Sequence, residues 1–465
     1  MNDSACIIIF GITGDLAKRK LIPALYNLLV KKRIADIAIV GAAYDAVEPA
    51  SILQAAQEHI KGPIDQEIWQ QLHDFLYYQQ LNFKHADEYA QFASLINTVE
   101  KKHKLSGNRL VYLAAAANFF CDITEYIGAS GIAKRAQKNK PWQRIVYEKP
   151  FGWDLQSAHD INMCIKKWFE EHQIYRVDHY LTKELVSNIS LLRFTNCVFE
   201  PLWNNRYLDH VQIILSESSG IGNRGAYYDH FGALRDVVQN HMLELLALIA
   251  MEAPEKLSGE CVQIERAKVL AKTKVIDGIL GQYDGYTKEP HVRPDSGTET
   301  FAMLYLTVNN PRWAGVPFYL KTGKCLDKYE VIIHLKFKQV DCLLTKNCPS
   351  NANWLTIRVA PDASFILTLN AKKPGRTDEL MTVPMEFCHS CLYGAITPDA
   401  YEVLVEEVVA GEQATSVRFD EIESAWKVID AIYKKELPLY SYACGSSGPK
   451  EVEQFCKKHG MRWRS

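Results

Sequence analysis

Four short segments of this chain gather side chains suited to holding an anion such as a phosphate or to moving a proton. In Tyr175-Arg176-Val177-Asp178-His179-Tyr180-Leu181-Thr182-Lys183-Glu184, an acid, an imidazole, a phenol and an ammonium group fall close together. His179 and Lys183 are four apart, so on a helix they would share a face and could hold an anion between them. The plainer reading is a solvated helix start with Asp178 as its cap. A second segment runs from Tyr227 to His241 and sets Asp236 five residues before His241. Its apolar positions, Leu234, Val237, Val238, Met242 and Leu245, predict a half-buried helix. A histidine there can act as a general base when a carboxylate fixes its tautomer and supports the imidazolium, although a hydrogen-bonded core histidine gives the same pattern. The third segment is Glu148-Lys149-Pro150-Phe151-Gly152, and the fourth is Gly11-Ile12-Thr13-Gly14-Asp15-Leu16-Ala17.

These residues need elements to position them. Cys6 to Phe10 reads as a buried parallel strand, Gly11 to Asp15 as a turn, Leu16 to Val30 as a helix ending in the cations Lys31, Lys32 and Arg33, and Ile37 to Val40 as a second strand. The glycine segment therefore lies where a phosphate-binding turn belongs, with glycines admitting a pyrophosphate to the backbone and a helix amino terminus behind them. Its spacing is Gly-x-x-Gly, with Ala17 in the close-packing place, and a tight turn in an unrelated α/β protein would look similar. Further alternation through Leu110 to Leu113 and Ile145 to Tyr147 predicts a doubly wound, Rossmann-like α/β domain over residues 1–175. Lys149, just past the strand ending at Tyr147, would then face the cofactor cleft. The texture changes over residues 176–465, where strands are expected at Val211 to Leu215, Thr300 to Val308, Glu330 to Val340, Trp354 to Val359 and Phe365 to Asn370. With one helical run from about Ala233 to Met251, this predicts an α+β domain with a large, mostly antiparallel sheet, the two parts sharing a cleft.

Composition narrows the function classes. The chain has 465 residues, 53 Lys+Arg against 55 Asp+Glu, a formal net charge of −2 and 48% hydrophobic residues. That balance argues against disorder and against a nucleic-acid-coating protein. No apolar stretch approaches the roughly 18 residues of a membrane span, and the start of the chain carries no basic region before an apolar run, so a cytoplasmic protein with no membrane partner is expected. Twelve cysteines are too dilute for a disulfide scaffold. Cys388-His389-Ser390-Cys391 is the one Cys-x-x-Cys, weak evidence for zinc or redox chemistry without a second ligand pair, and Cys342 and Cys348 are weaker still.

Together, in this order and spacing, the segments resemble the glucose-6-phosphate dehydrogenase family. The match runs through Gly11 to Lys20, Glu148 to Gly152, Arg176 to Glu184, Phe199 to Trp203, Asn223 to His241, Gly281-Gln282-Tyr283, Ser296 to Phe301, Gly315 to Lys324, Pro398 to Glu402 and Gly445 to Pro449. The resemblance implies oxidation of the anomeric hydroxyl of glucose 6-phosphate to the 1,5-lactone, with hydride passing to NAD(P). It gives the base's role to His241 and the orienting carboxylate's to Asp178. It implies phosphate binding by His179, Tyr180 and Lys183, and sugar binding by Glu217, Asp236, Lys324 and Lys149, the last also reaching the coenzyme. It implies coenzyme binding by Gly11, Thr13, Gly14, Asp15 and Leu16, no metal, and a homodimer or homotetramer.

Departures from the family pattern bear on specificity. NADP is the family default, but the arginine that grips its 2′-phosphate is replaced in Gly41-Ala42-Ala43-Tyr44-Asp45. A phenol and a carboxylate cannot neutralise a phosphate, whereas Asp45 can accept hydrogen bonds from ribose hydroxyls, which makes NAD a plausible coenzyme. Ala116-Ala117 replaces a Pro-Pro, Thr182 a glycine, Ala360 a glutamine near the sugar, and Tyr329 a basic residue at the substrate. The alternatives are the same oxidation of another 6-phosphosugar, such as an amino sugar phosphate, with NAD, or a non-catalytic paralogue that senses the sugar phosphate.

Overall fold

The computed structural model describes residues 4–34, 36–135, 141–340, 351–375, 379–393 and 398–464. It divides into two compact units, the first comprising Met1–Thr182, Lys256–Gln263 and Pro398–Glu423, the second Lys183–Glu255, Ile264–Thr397 and Ser424–Ser465.

The first unit is built on strands β1 (Ala5–Phe10), β2 (Ile37–Ala43), β3 (Leu76–Gln80), β4 (Arg109–Leu113), β5 (Gln143–Tyr147) and β6 (Ile174–Arg176). They form a parallel sheet in the order β3-β2-β1-β4-β5-β6. This is the doubly wound order, whose ligand crevice lies beyond the carboxyl ends of the strands where the winding reverses, here between β1 and β4. Every residue of β1 and β2 is buried, as a strand covered on both faces requires. The predicted first helix exists, but with a π-helical stretch at Ala17–Leu21 in which Ile22 N–H bonds the Ala17 carbonyl. The α-helix that follows, Ile22–Val30, carries Pro23 in its first turn, where the missing N–H is tolerated. The late segment 398–423 completes this unit's core through Leu404, Val405 and Val408, and Asn27 and Lys31 both donate to the Glu402 carboxylate.

The second unit is built on a sheet ordered β14-β13-β12-β11-β7-β10-β9-β8-β15. Its strands are β7 (Leu208–Ser216), β8 (Thr273–Tyr283), β9 (Phe301–Val308), β10 (Phe318–Gly323), β11 (Glu330–Phe337), β12 (Trp354–Ala360), β13 (Ser364–Lys372), β14 (Leu380–Cys388) and β15 (Leu439–Tyr442). All neighbours are antiparallel except β7 with β10 and β8 with β15. The five expected strands are present, with the one expected to reach Val340 ending at Phe337. The expected helical run is interrupted: a helix Gly225–Ala233 gives way to a π-helical segment Leu234–Met242 and then to the helix Leu243–Ala250.

Arg193, on the helix Glu184–Thr195, fixes that final helix. It is fully buried and donates to Glu200 at 2.6 Å and to the Ile249 and Met251 carbonyls at 3.1 and 2.5 Å. No helix of the described residues is long and apolar enough to cross a membrane. Because Arg193→Met leaves one carboxylate and two carbonyls without this donor, a loss of about 3 kcal/mol in unfolding free energy is expected, read from urea denaturation. A change below about 0.5 kcal/mol, the range of a plain surface substitution, would show that the neighbouring Arg312 replaces it.

Candidate active site

In the first unit, Gly11 leaves β1 at φ 85°, and a β-carbon there would lie 2.5 Å from the Ala114 carbonyl oxygen. Only glycine fits, and the backbone is left open beyond the carboxyl ends of β1 and β4. Gly14 N–H bonds the Gly11 carbonyl at 3.0 Å, and Asp15 and Leu16 begin the helix. Unpaired amides at that helix start suit a pyrophosphate. At the end of β2, Thr13 Oγ1 donates to Asp45 Oδ2 at 2.5 Å. Tyr44 OH donates to Asn82, its carbonyl accepts from Gln80 Nε2 at 2.8 Å, and its ring meets Phe83 edge-on. The loop is therefore fixed, with the phenol of Tyr44 and the carboxylate of Asp45 both held by neighbouring side chains.

Past β5, Tyr112 OH donates to Glu148 at 2.5 Å, and Tyr401 bonds the same carboxylate. Burial raises the Glu148 pKa, opposed by Tyr112 and by Lys149 beside it. Past β6, the spacing of His179 and Lys183 does not lie on a helix as expected. Asp178, His179 and Tyr180 form a turn in which Tyr180 N–H bonds Asp178 Oδ1 at 2.8 Å, Leu181 N–H bonds the Asp178 carbonyl, and Thr182 Oγ1 bonds the His179 carbonyl. The side chain of Asp178 bonding its own backbone two residues on is what holds the turn and keeps helix from starting. Asp178 is 3% exposed.

In the second unit, Lys183 is the extended residue that opens the helix Glu184–Thr195, an amino terminus favourable to anions. The parallel pairing of β7 with β10 sets Ser216 opposite Gly323, so the residues after each, Glu217 and Lys324, emerge side by side. Lys324 Nζ donates to Glu217 Oε2 at 2.6 Å and is almost wholly buried.

Asp236 and His241 lie on the π-helical segment. On an α-helix a separation of five turns two side chains well apart. The i to i+5 bonding of a π-helix brings them round to the same side. Both are buried, at 6% and 3% exposure. The segment starts where Gly232, at φ 66° and ψ −179°, breaks the preceding helix. Leu234 N–H bonds Glu299 Oε1 at 3.1 Å and Ala233 N–H bonds the Glu299 carbonyl at 2.9 Å.

Two tyrosines in this unit received no role from the sequence. Tyr227 OH donates to Asp236 Oδ1 at 3.3 Å, and Tyr228 is fully buried with Lys324 Nζ 5.4 Å from its ring centre. Burial and the Asp236 charge push both phenols above their ordinary range. Their adjacency to the Asp236 segment was the available signal, but a Tyr-Tyr pair before a helix reads as core. Of the departures, Tyr329 is half exposed beside Lys328, which pairs with Glu330 at 3.0 Å, and Ala360 closes β12 nearly buried. Cys388 and Cys391 are bonded to each other in a disulfide, which leaves neither sulfur for zinc. Cys342 and Cys348 lie outside the described residues.

Comparison with known proteins decides the family. Residues 8–188 match the model of the glucose-6-phosphate dehydrogenase NAD binding domain, and residues 190–464 match that of the C-terminal domain. The chain belongs to the glucose-6-phosphate dehydrogenase family. It is 38% identical over 483 residues to a glucose-6-phosphate 1-dehydrogenase of Bacillus subtilis, covering 99% of this chain and 98% of that one. It is 36% identical over 488 residues to one of Chlamydia muridarum, covering 99% and 96%. A solved glucose-6-phosphate dehydrogenase in complex with its substrate glucose 6-phosphate superposes with a TM-score of 0.91 at 30% identity, covering 100% and 99%. The family's first domain binds a nicotinamide coenzyme, and the Gly11 turn, open to a backbone approach, fits one.

Tyr227→Phe removes the phenol's bond to Asp236 and preserves the ring. We expect a rise of about fivefold in KM for sugar phosphate, the worth of one hydrogen bond, with kcat changed little. An unchanged KM would assign Tyr227 to packing alone.

Proposed function

We propose that the protein is a glucose-6-phosphate 1-dehydrogenase that oxidises the C1 hydroxyl of glucose 6-phosphate to the 6-phospho-1,5-lactone. The observation that carries this reading is full-length likeness to that family, and the base is assigned to His241. His241 takes the C1 hydroxyl proton, and Asp178 is the carboxylate whose family role is to orient the base and support its cationic form. An imidazole is a side chain suited to that transfer at neutral pH. Glu217 and Asp236 accept from sugar hydroxyls, Lys324 and Lys149 donate to the sugar, and His179, Tyr180 and Lys183 hold the 6-phosphate. When bound, the nicotinamide coenzyme supplies the hydride acceptor. Gly11, Thr13, Gly14, Asp15, Leu16 and Lys149 would hold it.

The coenzyme reading favours NAD. Asp45, held by Thr13, would set negative charge beside the ribose of a bound coenzyme and repel a 2′-phosphate, and Tyr44 would bring no cation to offset it. Ala360 and Tyr329 remove two polar groups from the family's sugar shell, which supports a second reading: the same chemistry on a related 6-phosphosugar. Losing one polar ligand shifts discrimination between such sugars by about 1–3 kcal/mol.

Purified protein assayed with a panel of hexose 6-phosphates and both coenzymes tests these readings. Glucose 6-phosphate is expected to give the highest kcat/KM, and no turnover of it would overturn the proposal. His241→Asn should lower kcat by about 10²–10⁴-fold while substrate binding, measured by calorimetry, persists. Unchanged activity would remove His241 from the chemistry, and an absence of turnover in the unmodified protein alongside tight sugar-phosphate binding would point to a sensor. Tyr44→Arg is expected to move the coenzyme ratio about tenfold toward NADP by adding a charge-assisted phosphate contact. A fixed ratio would mean that the 2′-hydroxyl is read elsewhere.

A further inference from the structure

Two cysteines 119 positions apart in number, Cys325 and Cys444, meet directly beside Lys324. Cys325 follows Lys324 in a left-handed backbone conformation, φ 52°. Its N–H bonds the Ser219 carbonyl at 3.0 Å, and its carbonyl accepts from Gly445 N–H, the amide that follows Cys444, at 2.7 Å. The pairing continues through a β-bridge between Leu326 and Ser446 and a bond from Asp327 N–H to the Ser446 carbonyl at 2.9 Å. In this register Gly445 stands across from Cys325, so Cys444 is its diagonal neighbour, about 6 Å away from the spacing and rise of paired chains and inside the span of about 4.4–6.8 Å between α-carbons that a disulfide bridges. Both thiols are unbonded, and they interact with each other. Cys325 is 7% exposed and Cys444 is open to solvent, so a reagent can reach one sulfur and be passed to the other.

The surroundings connect this pair to Lys324. Lys324 N–H bonds the Thr300 carbonyl at 2.9 Å, its carbonyl accepts from Tyr442 OH at 2.7 Å, and its ammonium group is held by Glu217. Tyr442 lies two residues before Cys444. Both cysteines are thus joined by one or two residues to groups that fix Lys324. A sulfur–sulfur bond of about 2.05 Å is much shorter than a contact between two thiols and fixes the angle between the two side chains, so closing it constrains the backbone at Cys325, the residue bonded to Lys324.

We propose that Cys325 and Cys444 are a thiol–disulfide modification site, oxidised by low-molecular-weight disulfides, whose closure displaces Lys324 and weakens sugar-phosphate binding. The exposed Cys444 thiolate attacks one sulfur of the small disulfide and releases one thiol. The Cys325 thiolate then attacks the Cys444 sulfur of the mixed disulfide, expelling the second thiol. Two protein thiols lose two electrons and two protons, and one small disulfide becomes two thiols. Burial and the neighbouring Cys444 raise the Cys325 thiol to about 12, which fits its reacting second. The effect on binding rests on the reading of Lys324 as a substrate ligand.

The test treats the full-length protein with oxidised glutathione and digests it with trypsin without reduction. The expected product joins the peptide Cys325–Lys328 to the peptide containing Cys444, and it disappears on treatment with dithiothreitol. In parallel, KM for glucose 6-phosphate should rise by about fivefold or more with kcat changed less, reversibly. Cys444→Ser, which keeps Cys388 and Cys391, should give the activity of the reduced protein and no response to oxidised glutathione. Glutathione remaining on Cys444 with no cross-linked peptide would overturn the site. A cross-link with unchanged KM would overturn its coupling to Lys324. If the reduced protein does not turn over glucose 6-phosphate, the functional reading fails and the peptide result still decides the site.

Discussion

The arrangement of the Leu234–Met242 segment depends on one buried carboxylate. Glu299, 6% exposed, receives the Leu234 amide and the Tyr433 hydroxyl on Oε1, and its own carbonyl receives the Ala233 amide. Burial pushes its carboxyl above the usual range, so these donors offset part of the cost of desolvating it. The fit leaves no room at Gly232, where a β-carbon would lie 2.5 Å from Oε1. Glycine at φ 66° is thus required twice, for its backbone angle and for the space it leaves. Tethered at this start, the segment winds wide, and the wide winding is what brings Asp236 and His241 to one side.

A second constraint acts through the sheet. A sheet made only of antiparallel neighbours would send consecutive strands out at opposite ends. The parallel pairing of β7 and β10 instead delivers Glu217 and Lys324 at the same end, where the buried ammonium group of Lys324 is neutralised by a partly exposed Glu217. A buried lysine with a single carboxylate partner is costly to separate, so the pair is a pre-set cation and acceptor rather than two mobile side chains.

Much of this was legible in the sequence where local pattern and tertiary context agree. The run Cys6 to Phe10, the Gly11 turn and the strand at Ile37 reveal the first unit because burial on both faces leaves an unbroken apolar signature. Leu76–Gln80 carries no such signature, since its Tyr-Tyr-Gln-Gln lies half exposed. Phe318–Gly323 contains Lys321 and Thr322, and its place beside β7 is set by a partner distant in sequence. The π-helical winding had no local signal either: the five-residue separation of Asp236 and His241 was visible, but what makes that spacing useful is Glu299, far along the chain. At Asp178 to Lys183 the spacing misled, because an Asx turn competes with helix at a scale that residue counting ignores.

The composition of the first unit from three stretches of chain also sets the order in which the protein can be finished as it is made. The Rossmann-like sheet is complete at Arg176, yet Tyr401, which bonds Glu148, and Glu402, which receives Asn27 and Lys31, belong to the returning segment Pro398–Glu423. During synthesis from the amino terminus, apolar side chains that Leu404, Val405 and Val408 will cover therefore wait through the making of most of the second unit. A domain that folds as an early, independent unit needs no such wait. Here the first unit to emerge from the ribosome is among the last to close, and its apolar surface stays uncovered longest at the very sheet that carries the Gly11 turn.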